Sequence, residues 1–128
     1  MIINDPIAFA EVKAVFARYE NALINNNIEV LDELFWQSPS TIRYGIGENL
    51  YGVDEILAFR KGRPSIGLAR DLSRTVLTTY GKDFATASTL FHRSSMPGKT
   101  GRQMQTWVRF PEGWKVVAAH VSIITDAT

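Results

Sequence analysis

An arginine stands in the middle of an otherwise apolar strand pattern, "TIRYGI" at Thr41–Ile46. Alternation puts Thr41, Arg43 and Gly45 on one strand face and Ile42, Tyr44 and Ile46 on the other. Two readings fit. The arginine face is solvated, as for most arginines, or a concave, helix-covered face encloses the guanidinium, whose fork would then hold a carboxylate. Tyr19, in "FARYENAL", is in register with Val12, Val15 and Leu23 on the apolar side of a helix. A tyrosine there is a core residue whose hydroxyl finds one partner. Beside a guanidinium it is also a group able to give, take or orient a proton.

His120 lies in "WKVVAAHVS", where strict alternation places Trp114, Val116, Ala118, His120 and Ser122 on one face. It is either a satisfied core histidine or, if that face is concave, a hydrogen-bonding contact to a ligand. Gln103, Gln105 and Trp107 alternate in the same way and face either a pocket or a subunit interface. The basic residues Arg60, Lys61, Arg63 and Arg70 suit a solvated helix end favoured by the helix dipole, or an attraction for an anionic substrate.

The glycines Gly45, Gly47 and Gly52 do not make a dinucleotide loop. That loop needs G-x-G-x-x-G between a strand and a helix. Here position 50 is leucine, and Glu48 stands where a phosphate would sit. A strand end and a turn explain these glycines better.

Composition narrows the classes. With 128 residues the chain fits one domain, 1–128, able to bury a core. A net charge of +1 with dispersed lysines and arginines gives no basic stripe for nucleic acid or a membrane surface. No apolar run has the length of a membrane span and no signal-peptide pattern opens the chain, so the expected location is the cytoplasm. Cysteine is absent, which removes disulfides, thiolate nucleophiles and thiolate-bound metals. The two histidines, His92 and His120, make a protein-only zinc site unexpected.

The positioning elements follow from local signals. Asp5 and Pro6 start a helix that carries Phe9, Val12, Val15, Phe16, Tyr19, Ala22 and Leu23 on one side and stops at Asn25-Asn26-Asn27. A short helix with Val30, Leu31, Leu34 and Phe35 inward comes next, then a turn at Ser38-Pro39-Ser40 and the Arg43 strand. Asn49 to Gly52 reads as a turn, and Val53 to about Gly62 as a third helix. Strand patterns then occupy Leu72–Tyr80, Phe84–His92, Gly101–Phe110 and Trp114–Ile124, the last two joined through Pro111-Glu112-Gly113. Helices first, one strand interposed and four antiparallel strands give an α+β domain with helices over one face of a curved sheet.

This order, with the closing "WKVVAAHVS", resembles the nuclear transport factor 2-like and SnoaL-like superfamily, whose sheet curls into a cone around a pocket. More specifically, "FARYENAL", "LDELFW", "IRYGIGENLYG", "AFRKGRP", "TTYGKDFATA", "GRQMQTWVR" and "GWKVVAAHVS" resemble the AtzH and HpxZ group over nearly the whole chain. That group accompanies amidase-signature enzymes in the catabolism of cyanuric acid or oxalurate. The resemblance implies a decarboxylating amidohydrolase that converts 1,3-dicarboxyurea, or a related carboxylated urea, into allophanate. It implies a catalytic pair of a first-helix tyrosine and a first-strand arginine, here Tyr19 and Arg43. His120, Trp36, Tyr44 and Trp107 are the further candidates for the substrate pocket. No cofactor or metal is expected; the expected partners are a small anionic substrate and a second copy of the chain in a homodimer or larger assembly. The alternative is a non-catalytic ligand-binding or accessory protein beside a partner amidase.

Overall fold

The computed structural model describes residues 1–127; of the expected domain, Thr128 lies outside them. Helix α1 (Pro6–Ile24) opens as its sequence dictates. The Asp5 carboxylate accepts a 3.0 Å hydrogen bond from the Ala8 N–H, and Pro6 fills the first turn, where no N–H is needed. The asparagine run then ends one helix and starts the next: Asn25 closes α1, Asn26 takes a left-handed φ of 49°, and the Asn27 side chain caps α2 (Ile28–Leu34).

Two short strands follow, β1 (Ile42–Tyr44) and β2 (Asn49–Tyr51), then α3 (Val53–Gly62) and four long strands: β3 (Asp71–Tyr80), β4 (Phe84–His92), β5 (Lys99–Phe110) and β6 (Gly113–Thr125). The six strands form one sheet in the order β2-β1-β6-β5-β4-β3. All neighbours are antiparallel except β1 and β6, which run parallel. The α+β class expected from the sequence is observed. The turn expected at Asn49–Gly52 is corrected: Asn49–Tyr51 is a strand, because pairing with β1 supplies the order that three residues cannot specify by their own pattern. No helix among the described residues is long and apolar enough to cross a membrane.

The helices cover one face of the sheet. Val12, Phe16, Tyr19 and Leu23 of α1 pack with Leu31, Phe35 and Ile56 onto Ala85, Ala87, Trp107, Val116 and Ala119. The alanines leave room for the large side chains of α1. The Trp114 indole N–H also donates to Glu11 of α1 at 2.8 Å, tying helix to sheet.

Bulges curve the sheet and reset its phase. Trp107 pairs with Val116 but Thr106 pairs with Ala118, so Val117 is an extra residue in β6. Before it Trp114 and Val116 are buried under the helices; after it Ala119 and Val121 are. Strict alternation across Trp114–Ser122 therefore fails, and His120 is turned to the outer face.

Candidate functional site

The concave face carries a cavity of about 170 Å³ between α1, β1, α3, β5 and the segments flanking β3 and β4. Its size suits a small molecule rather than a drug-sized ligand. Tyr19 enters from α1 with its ring fixed by packing: it meets Trp107 edge-on at 6.4 Å and Phe35 at 6.3 Å. Arg43 enters from β1, on the face that alternation assigned to it, and is only 7 % exposed. Tyr19 and Arg43 line the same cavity.

Four more arginines gather here. Arg63, Arg70 and Arg93 line the cavity, and Arg60 is buried behind it at 1 % exposure. Phenyl rings hold all of them: Arg43 and Arg63 lie 5.3 and 5.9 Å from the Phe59 ring, Arg70 and Arg93 lie 4.5 and 5.0 Å from Phe91, and Arg60 lies 4.7 Å from Phe35. The Phe91 ring has its place because Gly101, its cross-strand partner, has no side chain. A Cβ there would lie 2.1 Å from the ring.

Among the described residues, two carboxylates answer these cations. Arg43 Nη1 donates to Glu48 at 2.9 Å. Arg70 pairs with Glu20 and donates to Gln103 Oε1 at 3.0 Å. Five arginines against two glutamates leave a surplus of three positive charges. Burial, followed by repulsion from Arg43 and Arg63, lowers Arg60 to about 10, although the Tyr19 oxygen acts in the opposite sense. Burial also lowers Arg63, with Arg43 adding to the effect, and Arg93, with Arg70 and Arg63 adding.

The surplus shows in the hydrogen bonds. Three guanidinium nitrogens of Arg60, two of Arg63, one of Arg93 and the amide nitrogens of Gln103 and Gln105 are buried without an acceptor. The Tyr19 oxygen near Arg60 does not complete a hydrogen bond to it. Every orphan in the cluster is a donor, and an acceptor-rich anion is the ligand chemistry that would satisfy them.

A model of the AtzH-like family matches residues 1–127. The chain belongs to the AtzH-like family. A protein of unknown function from Pectobacterium atrosepticum, of the DUF3225 family, is 58 % identical, with 96 % of this chain and 95 % of that one covered and a TM-score of 0.94. A cystatin-like fold protein from Burkholderia xenovorans is 49 % identical, with 99 % of each chain covered and a TM-score of 0.95. An NTF2-like protein with a cystatin-like fold from Novosphingobium aromaticivorans shares the fold at 21 % identity, 94 % and 84 % coverage and a TM-score of 0.72. No curated protein matches the chain significantly. The architecture is thus the NTF2-like, SnoaL-like one.

In this AtzH-like chain the sequence candidates separate by face. Tyr19 and Arg43 meet in the cavity, whereas Tyr44 and His120 sit together on the outer face, rings 5.7 Å apart. The Tyr44 hydroxyl shares a 3.0 Å hydrogen bond with Tyr51, which raises the Tyr51 phenol above its usual range. Trp36 stacks on Phe110 at 5.4 Å, away from the cavity. Trp107 is fully buried as the wall behind Tyr19, its indole N–H donating to Gln105 at 3.1 Å. Of the glutamines, Gln103 lines the AtzH-like cavity.

The basic cluster is no solvated helix end. Ile56, Phe59, Arg60 and Arg63 recur at helical spacing, so Arg60 and Arg63 point inward with them while Lys61 is exposed. That spacing is the signal in the sequence. Arg93 and Glu20 carry no such signal, since their place depends on how distant elements meet; Glu48 falls on a hairpin tip outside any periodic element. Among the described residues no group of three His, Cys, Asp or Glu side chains could hold a metal ion.

Proposed function

We propose that the chain is a decarboxylating amidohydrolase that works with its own side chains on an N-carboxylated urea, with 1,3-dicarboxyurea the leading substrate and oxalurate-type acids the related class. The observation that supports this reading is the convergence of Tyr19 and Arg43 on a small cavity rich in unpaired donors. Arg43 holds a substrate carboxylate through its fork and stabilises negative charge as it develops. The bond between the urea nitrogen and the departing carboxylate breaks, and its electron pair stays on nitrogen. Nitrogen takes the proton from the Tyr19 hydroxyl, carbon dioxide leaves, and water restores the Tyr19 proton, its hydroxide combining with the carbon dioxide as bicarbonate. The dianion becomes the monoanion allophanate.

The same reading includes a homodimer. A second copy of the chain covers the outer sheet face, where Tyr44, Met104 and His120 lie side by side along shallow depressions of about 400 and 320 Å³. The purified protein is incubated with 1,3-dicarboxyurea and allophanate is followed against the spontaneous rate. Formation above that rate supports the enzyme. Tight binding without formation assigns the chain to the accessory class beside an amidase.

A further inference from the structure

Two phenyl rings organise the cavity in the same way. Phe59 carries Arg43 and Arg63; Phe91 carries Arg70 and Arg93. On each ring one arginine has an internal carboxylate, Glu48 for Arg43 and Glu20 for Arg70. The other, Arg63 or Arg93, has buried N–H groups and no acceptor. A guanidinium lying on a ring face keeps its donor edge free for a planar anion.

Gln103 joins the unpaired arginines. It is 2 % exposed and lines the cavity. Arginine only donates, so the contact with Arg70 at 3.0 Å fixes the Gln103 carbonyl toward Arg70. The Glu20–Arg70–Gln103 chain thereby leaves the Gln103 amide nitrogen, itself unpartnered, for another acceptor.

We propose that Arg63, Arg93 and Gln103 form a second anion subsite, which selects a dicarboxylate over a monocarboxylate by binding the carboxylate that Arg43 does not hold. The inference rests on the functional reading above and gives these three residues their part in it. A monoanion leaves two of the three surplus charges unanswered; a dianion leaves one. The subsite therefore discriminates by charge as well as shape, and it releases a product that has lost a carboxylate more readily than it binds the substrate. The lowered values of Arg63 and Arg93, caused by burial and then by neighbouring arginines, accord with cations held close together before a ligand arrives.

The test is calorimetric titration of the full chain with malonate and with acetate. Malonate is expected to bind at least about tenfold more tightly. Arg63→Gln and Arg93→Gln should each remove most of that preference while changing acetate binding less than about threefold. Gln103→Glu keeps an acceptor for Arg70 and places a carboxylate in the subsite, so it should abolish the malonate preference even if an arginine variant fails to fold. Equal binding of the two acids by the wild type, or a malonate preference that survives in the folded variants, overturns the subsite. Turnover separates the two readings. A malonate preference lost on substitution, with no turnover of dicarboxyurea, upholds the subsite and removes the enzyme. Turnover with no malonate preference does the reverse.

Discussion

Gly45 is bare where the Glu48 carboxylate crosses to reach Arg43. A Cβ on Gly45 would lie 1.7 Å from Glu48 Oε1, the atom that accepts from Arg43 Nη1 at 2.9 Å. The other Glu48 oxygen takes the Gly47 N–H at 3.1 Å, so the hairpin tip folds an internal carboxylate onto the Arg43 fork. Glu48 thus occupies the place on Arg43 that an external carboxylate would take.

Freeing Arg43 should strengthen ligand binding. Glu48→Gln removes the competing charge and is expected to tighten acetate binding roughly fivefold, about 1 kcal/mol for a partly exposed pair. Gly45→Ala, whose Cβ displaces the Glu48 carboxylate, should act in the same direction. Weaker binding in both variants would make Glu48 a support for Arg43 rather than its competitor.

Arg60 should cost stability. Its fall from the ordinary guanidinium range to about 10 corresponds to roughly 3 kcal/mol against the charged folded state, offset by about 1–2 kcal/mol from its place on Phe35. Arg60→Met is therefore expected to raise Tm by about 4 °C or more at pH 7. Below pH 10 Arg60 is charged in both the folded and unfolded chain, and the full penalty applies. As pH rises through 10 the folded chain loses the proton before the unfolded chain does, so the advantage of the variant shrinks. Thermal scans of both proteins from pH 7 to 11 check the sign; a Tm for Arg60→Met below wild type at pH 7 would contradict it.

Gly101 should resist substitution. In Gly101→Ala the new Cβ overlaps the Phe91 ring, which must leave the position where it supports Arg70 and Arg93. A loss of about 1–3 kcal/mol in urea unfolding is expected, as for an overpacked core. Unchanged stability would show that the ring moves freely.

The outer face should govern assembly. Met104, half exposed on that face beside His120, is expected to tolerate Met104→Arg in the folded chain but to shift sedimentation from dimer to monomer. A wild-type monomer would contradict the homodimer directly.

Much of this site is legible before folding. Period two placed Arg43 opposite Ile42 and Tyr44, and helical phase placed Tyr19 with Val12 and Leu23; both point into the cavity. The α3 spacing of Ile56, Phe59, Arg60 and Arg63 holds the same information for two more cations. His120 defeats alternation because one extra residue, Val117, reverses the phase of the strand after it, and a bulge leaves no composition signal in "VVAA". Strand β2 is hidden by its length, and Arg93 by its position after β4, where only the closure of the sheet brings it to Phe91. The glycines divide by neighbour: nothing in the sequence near Gly101 announces the Phe91 ring across the strand.

Steady-state turnover of 1,3-dicarboxyurea by wild type and Tyr19→Phe tests the proposed proton role of Tyr19 most directly. The phenyl ring keeps the packing against Trp107 and Phe35 and removes only the hydroxyl. The expected result is allophanate formation by the wild type well above the spontaneous rate, with kcat falling about 10²–10⁴-fold in Tyr19→Phe while KM stays within a few fold. A variant that keeps its kcat would contradict the assignment of the proton to Tyr19.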